Sequence, residues 1–173
     1  VGGVEDYEDI WVSDLDTVTN EWQQARNMGP LLNTEGPHWV SSITPDGNTL
    51  VMVLGNKIDP KRDKLVSGMS MSSKQGDSWS KPEAQEIADY YNYSDKANFY
   101  LANNRKTLLM SIERDDTFGD RDLYVSFLNR DDSWTAPLNL GNQINTATAE
   151  TSPFLAPDDK TLFFSTAGFA GFG

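Results

Sequence analysis

Trp22, Trp79 and Trp134 recur 57 and 55 positions apart, and Leu50, Leu108 and Leu162 recur 58 and 54 apart. Two independent landmarks that keep step mark an internal repeat of about 55 residues, and such a period points to stacked units rather than one closed core. The first copy runs from Asp9-Ile10-Trp11-Val12-Ser13 through Trp22 to Thr44-Pro45-Asp46-Gly47-Asn48-Thr49-Leu50-Val51-Met52-Val53. The third runs from Asp122-Leu123-Tyr124-Val125-Ser126 through Ser133-Trp134-Thr135-Ala136-Pro137 to Ala156-Pro157-Asp158-Asp159-Lys160-Thr161-Leu162-Phe163-Phe164-Ser165. The middle copy is weaker: Gly68-Met69-Ser70-Met71-Ser72, then Ser78-Trp79-Ser80-Lys81-Pro82, then Ala102-Asn103-Asn104-Arg105-Lys106-Thr107-Leu108-Leu109-Met110-Ser111.

The pieces read as short strands. Leu50 to Leu54, Leu162 to Ser165, Ile10 to Val12 and Leu123 to Val125 are brief apolar runs rich in β-branched and aromatic residues. Between Ile43 and Leu50 lies Pro-Asp-Gly-Asn, and between Leu155 and Leu162 lies Pro-Asp-Asp-Lys. Pro sets φ at the first corner, Asp bonds the backbone ahead, and Gly or Asn accepts positive φ, so both predict hairpin turns. Asn103-Asn104 substitutes in the middle copy. The best helical stretch is Pro82 to Tyr91, with Ala84, Ile87, Ala88 and Tyr91 at helix-like offsets. It is short, and it falls where the third copy has the extended Leu138-Asn139-Leu140-Gly141, so it reads as extended.

Each copy therefore predicts about four short antiparallel strands. A single sheet of that size cannot bury both of its faces, and packing copies around an axis would do so. The fold expected is all-β: a β-propeller fragment of about three four-stranded antiparallel blades, with repeats at about 9–64, 65–121 and 122–173. Propellers close with at least about four blades, so flanking blades are expected outside this segment. Two further signs agree. The first residue is Val1, and Gly168 to Gly173 resembles the run Phe118 to Arg121 that precedes a strand.

Composition removes several functions. With 26 acidic against 14 basic residues the net charge is −12, which disfavours nucleic acid and anionic membrane surfaces. There is no cysteine, hence no disulfide, thiolate metal site or cysteine nucleophile. No apolar run reaches the roughly 18 residues of a membrane span.

Asp122 to Ser126, Ser133 to Pro137, Asn139-Leu140-Gly141, Ile144-Asn145-Thr146 and Ser152-Pro153-Phe154-Leu155-Ala156-Pro157-Asp158 together resemble the TolB-type, WD-like propeller repeat. The longer form of that repeat is similar to propellers in OmpA-family cell-envelope proteins of Bacteroidota, including a group of the type IX secretion and gliding apparatus. The likeness covers about residues 9–173. The first copy departs in lacking Pro after Trp22, and the middle copy lacks Pro-Asp-Gly and Asn-Leu-Gly. The resemblance implies a non-enzymatic periplasmic scaffold, associated with the outer membrane, that mediates protein–protein interaction and protein transport. Its implied partners are proteins of a cell-envelope complex, with peptidoglycan contacted through a domain outside this segment. The alternative is a propeller-bodied hydrolase of carbohydrate or peptide.

No catalytic, cofactor-binding or metal-ligating residue is assigned. The Ser-x-Asp-x-Gly-x-x-Trp box of sialidase-like propellers is absent; Arg114 and Arg121, and Tyr90, Tyr91 and Tyr93 with Glu86 and Asp89, hold the residue types of such a site but read as strand or loop residues beside a solvated acidic face. His38 is the sole histidine and no Gly-x-Ser-x-Gly elbow exists, so neither a multi-histidine metal site nor a hydrolase elbow can be built. Asp115 to Asp122 superficially resembles a calcium loop but lacks the closing Glu, and reads as a Gly-containing turn. Asp9 and Asp122 are expected to cap backbone N–H groups. The recurrent tryptophans are expected to wedge between sheets.

Overall fold

A computed structural model describes residues 9–33, 38–59 and 64–172, with the backbone alone for His38, 54–59 and 64–66. The described chain is all-β and antiparallel, without helix. Among the described residues no helix is long and apolar enough to cross a membrane.

The amino-terminal part holds four two-residue strands, β1 (Trp11–Val12), β2 (Leu15–Asp16), β3 (Glu21–Trp22) and β4 (Arg26–Asn27), paired β1 with β4 and β2 with β3. The next sheet comprises β5 (His38–Ile43), β6 (Thr49–Asp59), β7 (Lys64–Gln75), β8 (Ser78–Trp79) and β9 (Glu83–Ala84), with β8 and β9 both pairing the far edge of β7. A third sheet is β10 (Asn98–Leu101), β11 (Thr107–Ile112), β12 (Asp122–Phe127) and β13 (Leu138–Asn139), in that order. A final hairpin pairs β14 (Glu150–Leu155) with β15 (Leu162–Thr166). Residues Pro82 to Tyr91 form β9 and a bridge at Ile87, not a helix.

The sheets cut the repeat at a different phase from the sequence landmarks. Each complete sheet takes its first hairpin from the end of one copy and its remaining strands from the start of the next. The strand ending in Met52-Val53 pairs with Ser70-Met69, and Leu108 to Ile112 pairs with Ser126 to Asp122. The equivalences are chemical as well as topological. Ser13, Ser72 and Ser126 each donate Oγ to the carbonyl of the residue after the recurrent tryptophan, at 2.6, 2.7 and 2.6 Å.

The hairpin turns follow the predicted chemistry. Asp46, Asn104 and Asp158 each accept backbone N–H bonds from the residues ahead. The left-handed corner that follows is Gly47, Arg105 or Asp159, at φ 69°, 58° and 55°. Consecutive turns are tied together, Arg105 to Asp46 and Asn104 Nδ2 to Asp159. The Thr44 hydroxyl, and after it Arg105, hold the Asp46 carboxyl well below the ordinary range.

Three apolar layers lie between consecutive sheets. Ile10, Leu32, Leu50 and Met52 fill the first; Val51, Val53, Met69, Phe99, Leu108, Met110, Tyr124 and Trp134 belong to the second; Tyr100, Leu109 and Val125 belong to the third. Alternate residues of β6 and of β11 face opposite layers, so Leu50 to Val53 and Leu108 to Met110 are apolar without a break.

The tryptophans part company. Trp134 is 1% exposed and forms an isolated parallel bridge with Ile87, just beyond β9, exchanging backbone bonds with Glu86 and Ala88. Trp79 is half-buried against the first apolar layer. Trp22 is 71% exposed, against expectation. A wedge residue is buried only when a preceding sheet lies beside it, and no described residue covers that side of Trp22. Replacing Trp134 by Ala should therefore cost about 3–5 kcal/mol of unfolding free energy, whereas the exposed Val18→Ala stays within about 0.5 kcal/mol, both read from urea titrations.

Candidate functional site

The strands β5, β10 and β14 are the first strands of three successive sheets, and β10 packs beside both of the others. Each is paired on one side only. Between them opens a cleft of about 600 Å³. Its wall includes Val40 to Ile43, Asn98 to Tyr100 and Ser152 to Phe154. Runs of consecutive residues, rather than alternate ones, form this wall, so strand edges and both sets of side chains reach it.

Among the described residues the wall carries no charged side chain, in a chain of net charge −12. Val40, Ile43 and Phe154 remain 37%, 51% and 45% exposed. Ser42 Oγ is buried without a hydrogen-bond partner. Ser152 holds φ at 53° immediately before Pro153, a left-handed conformation that costs a non-glycine residue about 1–2 kcal/mol. A register shift in β14 between Thr151 and Phe154 accompanies it, and the Ser152 N–H donates to Asn98 across the sheets at 3.3 Å. Strain, an unmet hydroxyl and exposed apolar side chains in one cleft suit binding of an extended, largely apolar segment.

A second polar centre lies where β12 begins. Asp122 is fully buried; one carboxyl oxygen accepts from Phe118 N–H at 3.0 Å and Asn139 Nδ2 at 2.8 Å, while the other has no partner. Asn145 clips the Leu123 peptide from both sides, accepting its N–H at 2.8 Å and donating to its carbonyl at 3.0 Å. The same clip occurs in the first copy, where Asn27 donates to Asp9 and Asn33 brackets Ile10. It belongs to Asn-x-Gly-x-x-x-Asn, present as Asn27–Asn33 and Asn139–Asn145, a match that is visible in the sequence but hidden by Pro30-Leu31-Leu32. Glu150, also fully buried, receives the Thr146 N–H and the hydroxyls of Thr146 and Thr166 at 3.0, 2.7 and 2.6 Å.

The acids of the Asp115–Asp122 stretch disperse to separate partners. Asp115 receives the hydroxyls of Tyr91 and Tyr93, Asp116 that of Tyr124, and Asp120 sits beside Arg121. Gly119 presses on the next loop: a Cβ there would lie 2.2 Å from the Ala147 carbonyl oxygen. Among the described residues, no group of three or more His, Cys, Asp or Glu side chains is placed to hold a metal ion.

Arg114, Tyr91 and Asp89 do come together. Arg114 is 8% exposed, stacks on the Tyr91 ring at 4.0 Å, and donates to the Asp89 carbonyl oxygen at 2.8 Å and carboxylate at 3.3 Å. Tyr90 turns away, packing on Phe99 and donating to the Ser67 carbonyl. Glu86 contributes its carbonyl to Trp134. This cluster fastens a loop to the third sheet. His38 opens β5 by its backbone, opposite Leu54, and its side chain lies outside the described residues.

These features define an all-β protein of consecutive antiparallel sheets with a strand-edge cleft. No family model, curated protein or solved structure matches the chain.

Burial pushes the Asp122 carboxyl above its ordinary 3.8, opposed by the Asn139 and Phe118 bonds and reinforced by Glu150 and Asp116. The folded state thus holds this proton more tightly than the unfolded one, and the stabilisation is lost as pH rises through the folded pKa. Asp122→Asn cannot ionise, so its stability relative to wild type should increase from about pH 4 to about pH 7, read by urea denaturation; a constant difference would contradict the assignment. Gly119→Ala should destabilise by about 1–3 kcal/mol at any pH, measured the same way.

Proposed function

We propose that this chain is part of a β-propeller that serves as a non-enzymatic scaffold, holding an extended protein segment in the cleft between β5, β10 and β14. The observation that carries this reading is the cleft wall: strand edges from three sheets with apolar, hydroxyl and amide side chains and, among the described residues, no charge. A hydrolase would draw several ionisable groups from different sheets to one mouth. A peptide-binding cleft offers backbone groups to a strand and shallow apolar pockets to its side chains. The chain's acidity favours a segment whose apolar residues are flanked by Lys or Arg. The propeller reading is supported by the order of the apolar layers, each between neighbours in sequence, and by the adjacency of the first strands. From the resemblance to TolB-type repeats, the proposed setting is the periplasm, in an outer-membrane complex of the OmpA-family kind, with a role in type IX secretion or gliding.

Selection of phage-displayed peptides against the purified chain should return apolar segments flanked by basic residues. Ile43→Asp and Phe154→Ala should each weaken a selected peptide by about tenfold or more in calorimetry, while Val18→Ala leaves it unchanged. Turnover of chromogenic glycosides or peptides, abolished by those same cleft substitutions, would replace the scaffold by the hydrolase.

A further inference from the structure

An extended segment can be held in two ways: as an added strand on a sheet edge, or as a polyproline II helix against aromatic rings and hydrogen-bond donors. The first needs a run of unpaired backbone groups along one edge. The second needs no such run, because a polyproline II segment makes no ladder and keeps its own carbonyl oxygens turned outward.

The edges that face the cleft are interrupted or already used. On β14 the Leu155 carbonyl accepts the Tyr100 hydroxyl at 3.1 Å, and the Ser152 N–H donates to Asn98 Oδ1 at 3.3 Å. Pro153, between them, has no N–H to offer. On β5 the register slips between Val40 and Ser42, so Ser41 is an extra residue, and a bulge of this kind breaks the spacing of edge groups. The Ser41 hydroxyl turns back to the Val51 carbonyl at 3.2 Å. β10 is regular but short, Asn98 to Leu101, and alternate residues of an edge strand point away from its partner, so about two of them face outward. None of the three edges presents a continuous ladder.

Side-chain donors and rings stand there instead. Asn98 opens β10, and Asn103 follows its end. The bond from Ser152 fixes the Asn98 amide, with Oδ1 toward β14 and the Nδ2 donors turned away from it. Among the described residues neither Asn98 Nδ2 nor the Asn103 side chain has a hydrogen-bond partner. Strand geometry sets the two amides about 16 Å apart, which is the rise of about five polyproline II residues. Trp39 of β5 lines one side of the cleft, and the tilted pair Tyr100–Phe154, 5.0 Å between ring centroids, lines the other.

We infer that the cleft takes a proline-rich segment in the polyproline II form, its carbonyl oxygens received by Asn98 and Asn103 and its pyrrolidine rings laid against Trp39 and Phe154. The inference rests on the scaffold reading and names the class of segment that the cleft selects. A wall without charge among the described residues matches a run without charge, and leaves basic flanks to the acidic surface beyond it.

Calorimetry on the purified chain tests this with a proline octamer between lysine pairs, and with an alternating valine–threonine octamer in the same flanks. Proline lacks the N–H that a strand needs, whereas valine and threonine favour strands. The proline peptide should bind about tenfold or more tightly than the other. Asn98→Asp keeps an acceptor for the Ser152 N–H, removes both donors and adds a charge that attracts lysine. It should nonetheless weaken the proline peptide about tenfold with the β-sheet circular dichroism kept, and Asn103→Ala should weaken it about threefold. N-methylation of alternate amides in a phage-selected peptide blocks strand pairing and should leave its affinity within about threefold. Equal or tighter binding of the valine–threonine peptide, a larger loss on N-methylation, or proline binding indifferent to Asn98→Asp overturns the inference while sparing the scaffold reading. Binding by none of these peptides overturns both.

Discussion

The structure depends on burying both faces of each sheet, and only a neighbouring sheet can do this. β11 shows it most plainly. Leu108, Met110 and Ile112 belong to the layer shared with the sheet before, and Leu109 to the layer shared with the hairpin after. A strand so placed is buried on both faces, which is why Leu108-Leu109-Met110 holds no alternation and why the buried Ser111 hydroxyl donates to the Glu150 carbonyl at 2.6 Å. The stack gains its stability from nearest-neighbour contacts, as repeat arrays do. The same dependence accounts for the divergent fates of Trp22, Trp79 and Trp134, which differ in their neighbours and not in their local pairing.

Polar chemistry sets the spacing between the layers. The Asn-x-Gly-x-x-x-Asn segments pin the start of β1 and β12 through paired amide bonds, where a buried peptide group would otherwise go unmet. The middle copy has Ala84 at the first Asn position and Tyr90 at the second, and the Tyr90 hydroxyl reaches a different backbone group, the Ser67 carbonyl, two residues before Met69, the counterpart of Ile10 and Leu123.

Much of this was legible in the residues. The brief apolar runs became strands, and the three turns formed with Asp46, Asn104 and Asp158 as acceptors. Asp122 accepts the Phe118 N–H as a cap and the Asn139 amide as well, whereas the bond to Asp9 comes from the Asn27 side chain. The phase of the sheets was not legible, because a periodic pattern has no origin and either hairpin could open a unit. The cleft was hidden for a different reason. Ser42, Asn98 and Ser152 are unremarkable in sequence, lie more than fifty residues apart, and meet only because first strands of successive sheets are neighbours. The strain at Ser152 has one trace in the sequence, the Pro153 that follows it.

The offset between sequence copies and sheets has a genetic corollary. Because every complete sheet straddles two copies, a duplicated or deleted block of one period, starting at any nucleotide in the period, adds or removes a whole sheet's worth of strands. The strand order of the remainder is preserved wherever the breakpoint falls. An array of this kind can change length by unequal recombination without ever creating a new half-sheet in its interior.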